Sequence, residues 1–138
     1  MTPSLQRISV ETGGVVLDAS SLIALLADEP GADVVSGLVT SSLMSVVNLA
    51  EVLQWGIRRG EVVETLPNSL HRAGLQFVDF DPEQAAQAAN LWFAGRPVGL
   101  SLGDRACLGL ARILGLPAIT AERAWSRVDL GVQIRVIR

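Results

Sequence analysis

The chain has 138 residues, 49% of them hydrophobic, which is enough for one buried core and leaves little room for a second domain. Acids outnumber basic residues 14 to 11, and the net charge of -3 excludes a global basic field for nucleic acid, so any RNA contact has to be local. A single cysteine excludes an intramolecular disulfide and a cysteine-rich zinc site, in keeping with a reducing cytoplasm.

Residues 1–13 lack the charged and apolar regions and the cleavage site of a secretory peptide, and read as a short flexible lead to one domain spanning 1–138. No window approaches the ~20 apolar residues of a membrane helix. Gly14-Val15-Val16-Leu17-Asp18 is an apolar run without alternation, as in a strand buried on both faces, and it ends on Asp18. A helix is expected from Ser20 to Ala27, stopped by Asp28-Glu29-Pro30-Gly31, and a second from Ala32 to Val39. Leu43 to Val46 reads as a strand. The spacing of Leu49, Val52, Leu53 and Ile57 predicts an amphipathic helix after it, closed by Arg58-Arg59-Gly60. A weakly patterned helix over Glu61 to Ala73 precedes a strand at Leu75 to Phe80. Asp81-Pro82-Glu83 supplies an N-cap, a proline at N1 and a first-turn acid for a helix running to Phe93. Ser101-Leu102-Gly103-Asp104 resembles a capping box for a helix ending at Leu114 before Gly115-Leu116-Pro117. Ala118 to Thr120 is a short strand, Glu122 to Arg127 a short helix and Val132 to Ile137 a terminal strand. Strands alternating with helices predict a three-layer α/β/α sandwich around a mainly parallel sheet of four or five strands.

In such a sheet, helices begin at the edge where strands end, and ligands bind in the crevice outside those ends. Asp18, Glu51, Asp104 and Glu122 each fall near a strand end or a helix start, so they share one rim of the molecule. Each is also explained as a helix-terminal acid, a placement worth roughly 0.3 to 1 kcal/mol. Four converging carboxylates, however, repel and take up protons unless a cation sits among them. Oxygen ligands without a histidine or cysteine cluster favour Mg2+ or Mn2+ over zinc, and such an ion at a rim suits phosphoryl chemistry.

Val16-Leu17-Asp18-Ala19-Ser20, Ser45-Val46-Val47-Asn48-Leu49-Ala50-Glu51-Val52, Leu102-Gly103-Asp104-Arg105-Ala106-Cys107 and Thr120-Ala121-Glu122-Arg123-Ala124-Trp125, in that order, resemble the PIN-domain ribonucleases of the VapC toxin type. The resemblance spans the chain from Val15 onward. It implies metal-binding acids at Asp18, Glu51 and Asp104, a fourth acid at Glu122, and supporting polar groups at Ser20, Asn48 and Thr120. It further implies a cytoplasmic endonuclease directed at single-stranded RNA, usually a homodimer, held inactive by a cognate antitoxin protein. One departure is Glu122, which stands where the family usually has aspartate and whose extra methylene moves the carboxylate outward.

Rival readings separate on particular residues. Receiver domains and phosphoaspartyl enzymes also place an Asp after the first strand, but both rest on a lysine beside the phosphate, and all eleven basic residues here are arginine. A haloacid-dehalogenase-like phosphatase needs a second Asp where Ser20 stands. A catalytically impaired PIN module that binds RNA or protein is the alternative of a different class, and metal-dependent cleavage separates it from the enzyme. His71 reads as a surface residue and Cys107 as core, while Trp55 and Trp92 fit helix faces as core or interface. Trp125 is read as packing rather than a base-stacking platform. Arg58, Arg59, Arg105 and Arg123 are candidate phosphate contacts or solvated helix surface. A mean hydropathy of +0.40 fits exposed apolar patches that a second copy or a partner covers.

Overall fold

In the computed structural model, which describes residues 14–138, Val15–Leu17 form β1 at the centre of the sheet, all three side chains buried. The expected flexible lead over residues 1–13 lies outside the described residues. Four further strands are β2 (Ser42–Ser45), β3 (Gln76–Val78), β4 (Ala118–Thr120) and β5 (Ile134–Val136). The sheet order is β3-β2-β1-β4-β5, and every pairing is parallel.

Among the described residues, seven helices cover it: α1 (Ala19–Leu26), α2 (Ala32–Ser36), α3 (Val46–Arg58), α4 (Leu66–Arg72), α5 (Pro82–Asn90), α6 (Trp92–Gly95) and α7 (Leu102–Leu114). Successive strand residues point to opposite faces, and both faces are dry, so the period of two is invisible in the hydropathy. Val16, Leu43 and Ala118 pack on one side with Leu91, Trp125 and the α7 residues Cys107, Leu108 and Ala111. Val15, Leu17, Met44 and Ile119 pack on the other with Leu22 of α1, Val35 of α2, Val52 of α3 and Leu70 of α4. This is the α/β/α sandwich expected from the alternation of elements. Trp125 lies in the first of these cores, as packing rather than as a stacking surface.

Local departures have local causes. The helix expected over 61–73 forms only at Leu66–Arg72, because Pro67 in its first turn sets the start. The helix expected over 32–39 ends at Ser36 before Gly37, with a 3-10 turn at Val39–Ser41. The helix expected to reach Phe93 is divided at Leu91, where ψ opens to 0°, into α5 and α6. Its tail leaves Trp92 46% and Phe93 73% exposed, so Trp92 is not core. The terminal strand is shorter than the expected 132–137, and Glu122 precedes a 3-10 turn at Arg123–Arg127 rather than an α-helix. Among the described residues, no helix is long and apolar enough to cross a membrane.

Candidate active site

The chain winds from β1 out to β2 and β3 and then returns to the opposite side of β1 as β4. The direction of winding therefore reverses between β1 and β4, and this reversal opens a crevice at their carboxyl ends. Asp18 follows β1 at that point and is 2% exposed, with its backbone N–H donating to the Ile119 carbonyl. It caps α1, since Oδ1 accepts from the Ser21 N–H at 2.8 Å. Capping uses only part of the carboxylate. Thr120 at the end of β4 donates its hydroxyl to Asp18 Oδ2 at 2.6 Å, and the Ser20 hydroxyl lies within 2.9 Å of both oxygens. Burial raises the Asp18 pKa to about 6, with the bonds from Thr120, Ser21 and Ser20 opposing that rise. The two hydroxyls are themselves fixed: the Ala121 N–H donates to Ser20 Oγ and the Glu122 N–H to Thr120 Oγ1.

A second acidic group forms where α3 meets α7. Ser45 caps α3, and Asn48 in its first turn is buried, donating Nδ2 to Glu51 Oε1 at 2.8 Å and to the Gly103 carbonyl at 3.0 Å. One amide thus holds the Glu51 side chain and ties α3 to the start of α7. Gly103 makes this approach possible: a Cβ there would lie 2.6 Å from Glu51 Cδ. The Glu51 pKa is raised by burial, lowered by the Asn48 bond and raised again by the charge of Asp104. Asp18, Asp104 and Glu51 all add to the burial that pushes the Cys107 thiol well above its usual range, so the three negative charges act on one small volume. Among the described residues none of the three acids forms an ion pair.

The family model for the PIN domain matches residues 15–130. The chain belongs to the PIN-domain family. A relative in Mycolicibacterium smegmatis named "Ribonuclease VapC" is 33% identical over 126 residues, covering 84% of this chain and 97% of that one. "Ribonuclease VapC30" of Mycobacterium tuberculosis is 32% identical over 125 residues, covering 84% and 95%. The solved structure of DNA-bound VapBC from Salmonella typhimurium superposes with a TM-score of 0.68 at 19% identity, covering 91% of this chain and 98% of that one, a likeness of fold.

Within this PIN domain the acids are not brought together equally. The expected convergence of four carboxylates is not preassembled: among the described residues no group of three or more His, Cys, Asp or Glu side chains is placed to hold a metal ion. Asp104 also has a local role, because its Oδ2 accepts from the Ser101 N–H at 2.9 Å and completes a capping box at the start of α7. Glu122 donates its backbone N–H to Thr120 Oγ1, and the residue is exposed. Arg105 does not face the rim, since its guanidinium donates to the Ala88 carbonyl of α5. Arg123 is bonded to the Arg138 carbonyl. Two contributors escape a reading of the sequence alone. Ser21, fully buried, holds Asp18 through both its N–H and its hydroxyl, and Gly103 admits Glu51. The serine pair after Asp18 and the glycine before Asp104 are the available signals.

Proposed function

We propose that this PIN domain is a metal-dependent endoribonuclease directed at single-stranded RNA, and the toxin of a toxin–antitoxin pair acting in a reducing cytoplasm. The observation that carries the reading is the buried Asp18 carboxylate at the reversal of the sheet, fixed by Ser20 and Thr120. Glu51 and Asp104 lie nearby without cationic partners among the described residues. The names of the relatives at 33% and 32% identity support the same activity.

The donor set fits a hard divalent cation. It consists of oxygens, their charges are uncompensated, and Asn48 Oδ1 is a further buried oxygen with no donor among the described residues. Asp18, Glu51 and Asp104 would hold Mg2+ or Mn2+. When bound, the ion supplies water activation and charge neutralisation on the phosphodiester.

The protein's own part is positioning. Ser20 and Thr120 keep the Asp18 carboxylate in one orientation, and Asn48 does the same for Glu51. Such side chains, locked by neighbours, lower the cost of organising a reacting phosphate. The Ser101 N–H takes only Oδ2 of Asp104, which leaves Oδ1 for the ion. The lack, among the described residues, of a preassembled group of three such side chains is the observation favouring the alternative, a binding module that does not cut.

A cognate antitoxin and a second copy of the chain would cover exposed apolar side chains such as Ile57, Val62, Phe93 and Leu102. The Salmonella neighbour, a DNA-bound VapBC, supports the partnership. The test is to incubate the partner-free protein with a single-stranded RNA and with its duplex, in Mg2+, in Mn2+ and in chelator. Endonucleolytic cleavage of the single strand in either metal, absent in chelator, is expected. No cleavage in either ion would overturn the nuclease reading and leave the binding module.

A further inference from the structure

We propose that a groove of about 490 Å3 on the outer side of α3 is a nucleotide subsite, in which a base flanking the cleaved phosphate stacks on Trp55 and its phosphate is gripped by Arg58. This rests on the RNA reading above and adds where the strand lies. The groove is lined by Glu51, Gln54, Trp55, Arg58 and Arg59. On a helix these fall at i, i+3, i+4, i+7 and i+8, so they form one stripe, running about 10 Å from Glu51 to Arg58. One end of the stripe is thus a candidate catalytic acid, and the other is cationic.

The chemistry of the stripe matches a single-stranded nucleotide. Trp55 is half-buried, which anchors the indole while leaving part of it accessible. The Arg59 guanidinium sits 4.9 Å from the indole centroid and pairs with Glu61 at 3.2 Å, so it braces the ring and its charge is met. The Arg58 side chain, by contrast, has no hydrogen bond or ion pair among the described residues. An aromatic face beside an unmet cation is how sequence-tolerant single-strand binding is built, and a base inside a duplex has no face to offer. The lining also argues against a protein segment. Among the described residues no aliphatic side chain lines this groove, whereas the adjoining hollow beyond Trp55 holds Leu26, Val62, Val63 and Leu66, the surface an apolar helix needs.

The experiment measures the affinity of a short fluorescein-labelled single-stranded RNA in chelator, where nothing is cut, for wild type, Arg58→Ala, Arg58→Lys, Trp55→Ala and the distant control Trp92→Ala. Arg58→Ala is expected to weaken binding about ten-fold and to reduce the slope of log Kd against log salt by about 0.7, the value for one phosphate on a single strand. Arg58→Lys should restore that slope. Trp55→Ala should weaken binding about ten-fold with the slope unchanged, as for the loss of one stacked base, and Trp92→Ala should bind as wild type. In Mg2+ or Mn2+ the two alanine variants should raise KM with kcat within about two-fold of wild type. Arg58 is exposed, so its variants test the idea even if Trp55→Ala is poorly folded. Unchanged Kd in both alanine variants would overturn the subsite while leaving the nuclease reading intact if wild type cuts. Weakened RNA binding in a protein that cuts nothing would defeat the nuclease reading and support the subsite. Variants that bind RNA normally but lose a partner protein would assign the groove to that partner and overturn the proposal.

Discussion

Asp18→Asn, measured without metal, isolates the energetic consequence of burying the central carboxylate. The ordinary pKa of 3.8 rises to about 6 in the folded protein, chiefly because burial penalises the charged form. That difference corresponds to about 3 kcal/mol. Its sign follows from proton binding: between the two values the folded state holds a proton that the unfolded chain has released, so folding weakens as pH rises. The penalty is absent below the unfolded pKa and complete above the folded one. Asparagine carries no charge at any of these pH values, and its amide keeps an acceptor for the Ser21 N–H and offers a donor to Thr120 Oγ1. Thermal melts in chelator at pH 4 and pH 7.5 should therefore show the variant gaining on wild type by about 2.4 kcal/mol across the interval, because at pH 4 part of the penalty is already present. For a domain of this size that is about 8 °C in Tm. Taking the difference between the two proteins removes contributions common to both. A variant-minus-wild-type difference that stays flat from pH 4 to pH 7.5, or shrinks, would refute the buried-carboxylate account.

Asp104→Asn removes the charge that raises the Glu51 pKa, so NMR titration should find Glu51 ionising at lower pH than in wild type. An unmoved Glu51 would separate the two acids. Gly103→Ala should keep or slightly raise Tm, since alanine is about 1 kcal/mol better than glycine inside a helix. It should nevertheless lower RNA cleavage at least ten-fold, because the new methyl displaces the Glu51 carboxylate from Asn48. Full activity in this variant would show that the position of Glu51 is not critical. Millimolar Mg2+ or Mn2+ should raise the wild-type Tm at pH 7.5, by about 2.7 kcal/mol in stability when the ion is at 100 times its Kd. No shift with either ion would count against a metal site.

Much of the rim is legible in the sequence because its signals are local. Val15-Val16-Leu17 announces a doubly buried strand, Asp81-Pro82 a helix start and Ser101 with Asp104 a capping box, and each lies where the sequence places it. What the sequence leaves open is set by contacts between distant segments. The resemblance marks Asn48 as a supporting polar group, but its second partner appears only when α7 brings the Gly103 carbonyl to its amide, 55 positions away. Thr120 is marked in the same way, and its bond to Asp18 appears only when β4 is laid beside β1. Asp104 shows the limit most clearly: the capping box makes its helix predictable, but its influence on Glu51 comes only from the meeting of α3 and α7. The short 3-10 turn after Glu122 and the division of the helix at Leu91 carry no strong local signal, and neither follows from the sequence pattern.

The central claim is that Asp18 and its neighbours cut RNA. Its most direct test compares the cleavage rate of a single-stranded RNA by partner-free wild type and Asp18→Asn in saturating Mn2+, with circular dichroism confirming that both are folded. The predicted result is a fall of at least about a hundred-fold in the variant, from loss of a ligand that orients the reaction. A folded Asp18→Asn protein that cuts RNA at the wild-type rate would contradict it.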